Sequence, residues 1–404
     1  MTQKRVRETP SPLDLLPQRR RWALAAQRAA ERRFDLADIV REHRAHLESI
    51  THLGPDQRRM LSAIAMCRTA ALGGHLDLCT RCGYEHPAYN SCRNRHCPKC
   101  QALAQEKWIE AQRARMLDTP HFHVVFTLPA ELRPLAAFAK ERIYALLFRT
   151  AWATLSAFAK SRLSGTVGAI VVLHTWTRKL ELHPHVHAIV TGGALSRNGD
   201  KWQAAERAFL FPVKSMSRVF RAKVLAALRA EHRAERFAGF DEFEDPEGFA
   251  RLARSIAKLN WHVYAKPSFA RGVHVLEYLG RYTHRVGLAN SRLLDVRADA
   301  ITFRTKGTGT TTVSPVVFLR RFVQHVLPNG FHKVRSFGLY ASRPLRAKAN
   351  AHLGGRKRLR PKEKPWRERL LALTGRDVTA CPHCGDRLGT LVVPSARAPP
   401  WRRT

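Results

Sequence analysis

Acidic residues are scarce in this chain of 404 residues: 32 Asp and Glu stand against 70 Lys and Arg, a formal net charge of +38. No small substrate or ordinary protein partner calls for such a surface. A dense polyanion does, because Lys and Arg that neutralise phosphates release condensed counterions. General basicity for solubility, or association with ribosomes, is the bland alternative. Long apolar runs are missing too. No segment approaches the length that spans a bilayer, and "MTQKRVRETPSPLDLLPQRRRW" at the start lacks a signal-peptide apolar core. The expectation is a cytoplasmic protein whose eight cysteines stay reduced, as metal ligands or buried apolar groups. There is no GxxxxGK[ST] phosphate loop, no internal repeat and no extended low-complexity tract. What remains is 45% hydrophobic, enough for two or three globular domains.

Six of the eight cysteines lie between Cys67 and Cys100, and the densest stretch reads "CTRCGYEHPAYNSCRNRHCPKC". Cys79 with Cys82 and Cys97 with Cys100 form two CxxC pairs separated by 14 residues, close to zinc-ribbon spacing. Four thiolates from two such knuckles suit a closed, structural Zn²⁺ site. Cys92, His96 and His75 are further candidates, any of which could replace a thiolate. Arg93, Arg95 and Lys99 interleave with these ligands and suit a phosphate backbone. A third CxxC, Cys381 and Cys384 in "CPHCGDRLG", reads as half a site: a truncated knuckle, one completed by another chain, or one that binds nothing.

Apolar spacing predicts helices across residues 12 to 70, in "QALAQEKWIEAQRARML" and in the long "AELRPLAAFAKERIYALLFRTAWATLSAFAK". "HFHVVFTLP", "GAIVVLHTWT" and "PHVHAIVTGG" read as strands, and "FPVKSMSRVFRAKVLAALRAEHRAERF" as a strand and a helix. Strand, helix, strand, strand is half of a split βαβ arrangement, so the expected fold is α/β (α+β), helices over an antiparallel sheet. The polar "AGFDEFEDPEG", residues 238 to 248, reads as an exposed loop. Three segments are expected: 1–118, helical and zinc-binding, for DNA recognition; 119–345, catalytic; and 346–404, a basic, partly disordered tail with its CxxC.

"ELHPHVHAIVTGG", residues 181 to 193, sets histidines at alternate positions. On a strand His185 and His187 share one face and can hold a metal. Mg²⁺ or Mn²⁺ wants more ligands than two, and Glu181, His183, His174 and His274 are candidates for a third. On periodicity alone, His121 and His123 in "HFHVVF" rival that pair. In "VHVLEYLGRYTHRVG", Tyr278 and Tyr282 lie one above the other on a helix, beside Arg281 and Arg285, which could clamp DNA or simply face solvent. Lys266 could contact a scissile phosphate or stay solvated. Trp176 and Trp261 could stack on bases or pack in the core. A phenol is a weak nucleophile until a metal polarises the phosphodiester, so together these groups imply phosphoryl transfer from DNA to a protein hydroxyl.

The His-hydrophobe-His stretch resembles the motif of HUH endonucleases, and "YLGRYTHR" the two-tyrosine motif of rolling-circle transposases of the insertion sequence 91 group. "SCRNRHCPKCQ", "HVVFTLPAEL", "LHTW" and "FLRRFVQHVLPNGFHKVRSFG" extend the resemblance over most of residues 35 to 345. It implies a ferredoxin-like HUH domain and a metal on His185 and His187. It also implies attack by Tyr278 or Tyr282 on single-stranded DNA, particularly hairpin element ends, leaving a 5′-phosphotyrosine and a free 3′-OH. Such a protein would associate with the bacterial nucleoid. Competing readings are an HUH replication initiator or relaxase, and a non-catalytic zinc-dependent DNA-binding regulator.

Overall fold

The computed structural model describes residues 34–206, 210–266, 280, 287–354 and 364–393. Two helices come first, α1 (Leu36–Ile50) and α2 (Pro55–Ala65). The Asp35 carboxylate caps α1 by accepting the Ala37 amide at 3.0 Å, and Pro55 takes the first position of α2, where its missing N–H is no loss. The hairpin β1 (Gly74–Leu78) and β2 (Glu85–Tyr89) follows, then α3 (Ala102–Arg115).

β3 (His121–Thr127) leads through a short α4 (Arg133–Phe138) into α5 (Lys140–Leu163). The long helix expected here is therefore broken at Ala139, whose φ of −108° and ψ of 51° are not helical. After β4 (Gly165–Thr166), β5 (Gly168–Trp176) and β6 (Leu182–Thr191) form an antiparallel hairpin. Next come β7 (Gly193–Ser196), β8 (Trp202–Ala204), α6 (Val213–Arg233), α7 (Gly248–Lys258) and β9 (Val263–Lys266). β10 (Leu293–Val296), β11 (Ile301–Arg304) and β12 (Thr310–Val313) make a three-stranded meander. The chain then runs through α8 (Pro315–Val323), β13 (Val334–Gly338), α9 (Arg343–His352), α10 (Trp366–Thr374) and β14 (Gly389–Val393).

The central sheet has the order β13-β5-β6-β3-β9 with every neighbour antiparallel. Without β13, its strands follow the chain as β3, α5, β5, β6, α6, β9, which is the split βαβ order. The fold is the expected α+β one. Every residue of β5, "GAIVVLHTW", is buried, as a β-rich apolar run covered on both faces should be. One face of the sheet carries Phe122, Val124 and Phe126, Ala169, Val171 and Leu173, and Val186, Ala188 and Val190. These meet Leu147, Ala151 and Leu155, a stripe four apart on α5, and Phe220 and Val224 of α6. The opposite face belongs to the alternate residues of the same strands.

A second core joins α1 and α2 to Leu288, Ile301, Phe303, Phe318 and Phe322, so the N-terminal and central segments share it. Two sequence expectations change. The segment ahead of α6 is not a strand, since Phe211 drops into the core and Pro212 precedes the helix. The polar stretch 238–248 is not simply exposed, because Phe240 is buried and meets Phe243 edge to face at 4.9 Å. The described residues of the tail include the end of α9, then α10 and β14. Among the described residues no helix is long and apolar enough to cross a membrane.

Candidate functional site

Three strands bring five histidines to the sheet face that α5 and α6 leave uncovered. His121 and His123 of β3, His174 of β5, and His185 and His187 of β6 all alternate with residues of the apolar core. The register sets His185 beside His174 and Thr127, and His187 beside Val172 and Val125. Ring nitrogens of His174, His185 and His187 lie within 4.8 Å of one another. Nδ1–H of His185 donates to the His183 carbonyl at 2.6 Å, and Nδ1 of His187 is 2.7 Å from Nε2 of His123. Both bonds engage Nδ1 and leave Nε2 to meet an ion, as metal-bound histidines usually do. Burial holds the His185 imidazole down to about 4 and pushes His174 and His187 well below the ordinary range, with neighbouring histidines adding to the effect on those two. The trio is neutral at pH 7, the form that ligates.

Of the third-ligand candidates, His174 stands with the pair. Glu181 accepts a bond from Thr177 Oγ1 at 3.5 Å beside the hairpin turn, and His183 lies ring to ring 5.2 Å from His185, outside the trio. His274 falls outside the described residues. The rival histidines hold other partners: His121 Nε2 is 2.5 Å from the Tyr340 hydroxyl, and His123 meets His187.

The eight thiols divide into two quartets: Cys67, Cys92, Cys97 and Cys100, and Cys79, Cys82, Cys381 and Cys384. In the first, Cys97 Sγ is 3.6 Å from Cys67 and Cys92 Sγ is 3.7 Å from Cys100. Thiolates at ~2.3 Å from a tetrahedral zinc stand ~3.8 Å apart, so this quartet fits the ion. Contacts with the thiols of Cys100, Cys92 and Cys97 pull the Cys67 thiol far below its ordinary range. The expected union of Cys79 and Cys82 with Cys97 and Cys100 is corrected. β1 and β2 carry the first CxxC to the tip of their hairpin, while the loop after α2 brings Cys67 to the Cys92 amide at 3.5 Å. His96 is buried outside the quartet, its Nδ1 3.1 Å from Asn94 Oδ1, and His75 faces Asp77 at 3.4 Å.

Residues 39–128 match the family described as "Transposase zinc-binding domain", and residues 168–348 the one described as "Putative transposase". The chain is 41% identical over 368 residues to "Putative transposase y4qJ" of Sinorhizobium fredii, covering 87% of this chain and 92% of the relative. It is 30% identical over 320 residues, 74% of each chain, to "Transposase for insertion sequence element IS801" of Pseudomonas savastanoi pv. phaseolicola. The chain belongs to the insertion sequence 91 family of transposases. No solved structure matches it.

The transposase acts on DNA, and its first thiol quartet lies within the matched zinc-binding domain. The cations expected to grip DNA have different placements. Arg93 is exposed, whereas Arg95 donates to the carbonyls of Phe331 and Pro328, each at 2.9 Å, and Lys99 pairs with Asp35. Those two side chains fasten the zinc loop to its surroundings. Lys266 is exposed at the end of β9, in register with His123 on the histidine face. Trp176, stacked at 5.0 Å on His174, and Trp261, donating to the Ile256 carbonyl at 2.8 Å, are buried core residues. Tyr278, Tyr282, Arg281 and Arg285 lie outside the described residues. Gly280, between the tyrosines, is buried against α3, where a Cβ would stand 2.5 Å from Ile109 Cδ1.

Sequence reasoning missed Cys67, the partnership of the third CxxC and the contact of His123 with His187. Two signals were present. Eight cysteines make two fours, and "CPHCG" repeats the form of "CTRCG".

Proposed function

We propose that the transposase nicks and rejoins single-stranded DNA through a 5′-phosphotyrosine on Tyr278 or Tyr282, beside a divalent metal on His174, His185 and His187. The observation that carries the reading is the convergence of three neutral imidazoles within 4.8 Å on one sheet face. A bound Mg²⁺ or Mn²⁺ would polarise the scissile phosphodiester there. The tyrosine oxygen bonds to phosphorus and gives up its proton; the P–O3′ bond breaks, and the 3′ oxygen leaves carrying a proton. Because the new ester keeps the energy of the broken bond, a 3′-OH can reverse the step without ATP. Two tyrosines let one site hold a strand end while it cuts another, which suits rolling-circle transposition.

Gly280 supports this reading. It lies against Ile109 of α3, whose neighbour Trp108 packs against the buried cluster that includes Ile170, Val172 and Ile189. Lys266, in register with His123 on the histidine face, is the proposed contact to a phosphate. Single-stranded or hairpin element ends are the proposed substrate, and the proposed location is the cytoplasm, at the nucleoid. Mg²⁺ prefers oxygen ligands, so Mn²⁺ should support the reaction at lower concentration.

The test uses single-stranded oligonucleotides spanning the element ends and labelled 3′ of the cleavage site, with Mg²⁺, Mn²⁺ or EDTA, resolved on denaturing gels. A metal-dependent protein–DNA adduct is expected, lost in His185→Ala and in the Tyr278→Phe, Tyr282→Phe double variant. An adduct that survives the double variant overturns the nucleophile assignment. Salt-sensitive binding with no adduct from the unaltered chain would favour the non-catalytic regulator.

A further inference from the structure

We propose that Cys79, Cys82, Cys381 and Cys384 form a second structural zinc site, one that ties the segment after α10 to the β1–β2 hairpin. The match to a zinc-binding domain ends at residue 128, so Cys381 and Cys384 lie outside it.

The two knuckles are built alike. "CTRCG" and "CPHCG" each end in a glycine in the left-handed region, Gly83 at φ 70° and Gly385 at φ 79°, where a Cβ is disfavoured. In each, the glycine amide donates to the first cysteine's carbonyl at 2.9 Å. In each, the first cysteine's amide donates five residues onward, to the Tyr84 carbonyl at 2.8 Å or the Asp386 carbonyl at 2.7 Å. These turns aim the thiols at one point: Cys79 Sγ is 3.4 Å from Cys384 and Cys82 Sγ is 3.5 Å from Cys381. That is too long for a disulfide, at ~2.05 Å, and near the ~3.8 Å edge of a zinc tetrahedron.

The strands around the knuckles complete a ribbon. β1 pairs with β2 on one side and β14 on the other, so that Leu78 faces both Glu85 and Gly389. This ribbon has no apolar core. Among the described residues of 74–91 and 376–393, the buried apolar side chains are Cys79 and Cys381, while Leu391 is 57% and Val392 81% exposed. Three short strands without a core do not hold themselves, and a four-thiolate ion is the usual remedy. Four thiolates leave no open position, so the site is closed to catalysis. Its effect reaches further along the chain: α10, just before the second knuckle, docks on α3 through the Arg369–Glu110 pair.

The test is zinc content by mass spectrometry of the full chain. Two ions per chain are expected. Cys79→Ser with Cys82→Ser, and Cys381→Ser with Cys384→Ser, should each leave one, and all four substitutions together should still leave one. A single ion in the unaltered chain, or losses that add when the pairs are combined, overturns the proposal. A second readout needs no substitution. In the zinc-loaded chain Cys381 and Cys384 should resist alkylation, and after chelation mild oxidation should link the 79–82 peptide to the 381–384 peptide. Equal alkylation rates with and without zinc would overturn it as well.

Discussion

At His187 one ring nitrogen decides what the other can do. The 2.7 Å contact of its Nδ1 with His123 engages that nitrogen and leaves Nε2 as the one that can meet an ion. Losing an orienting partner of this kind typically weakens metal binding ~10–100-fold. His123→Ala should therefore lower Mn²⁺ affinity in calorimetric titration by that factor while the far-ultraviolet circular dichroism stays unchanged; an unaltered affinity would reduce His123 to packing. Acid gives a second expectation. Burial holds His123 and His185 down to about 4, against an ordinary value of 6.5, and Lys266 adds to the effect on His123. Between those limits the unfolded chain binds protons that the native one refuses. Their contribution is thus complete above pH 6.5 and lost as pH falls toward 4, ~3 kcal/mol for each residue. Urea unfolding of the metal-free chain at pH 7 and pH 5 should show the decline, and His123→Gln should flatten it. Strand alternation put His185 and His187 on one face in the sequence, as it did the rival pair His121 and His123, and only the family resemblance chose between them. The role of His123 was not legible, because it depends on the register of β3 against β6.

Among the elements, α5 and the strands beneath it were readable because their apolar period is long and uninterrupted. Leu147 sits at the centre of that packing, fully buried, and Leu147→Ala should cost about 2–5 kcal/mol in chemical denaturation. The break at Ala139 and the buried aromatics of 238–248 were not readable. Composition averages over a window, and Phe240 among acids and glycines looks like a loop residue until Phe138 packs on it at 5.2 Å. The tyrosine stretch has its own element-scale test. Gly280→Val would drive a side chain into Ile109, so adduct formation should fall sharply while zinc content holds, and Ile109→Ala should restore part of it. Failure of the second change to rescue the first would separate Gly280 from α3.

For the whole molecule, the charge of +38 was legible from composition, but its distribution was not. Arg95 and Lys99, which look like DNA contacts in the sequence, are spent inside the fold. Enough exposed cations remain that affinity for single-stranded DNA should drop about 10³-fold between 50 and 200 mM salt, corresponding to roughly seven neutralised phosphates. Fluorescence anisotropy would measure it, and a flat response would remove phosphate neutralisation as the basis of binding. The shared second core was also hidden, since nothing in α1 or α2 announces that α8 lies beside them.

The ribbon closed by β14 has a consequence in time. Cys381 follows Cys82 by 299 positions, so a nascent chain exposes half of that ribbon long before the other half exists. At 5–20 residues per second the wait is roughly 15–60 s. A chain released early would leave the ribosome with its first knuckle and no partner for it, whereas one translated through β14 can bring the two knuckles together. Closure of the ribbon is thus a late step: it waits on the last knuckle to be synthesised.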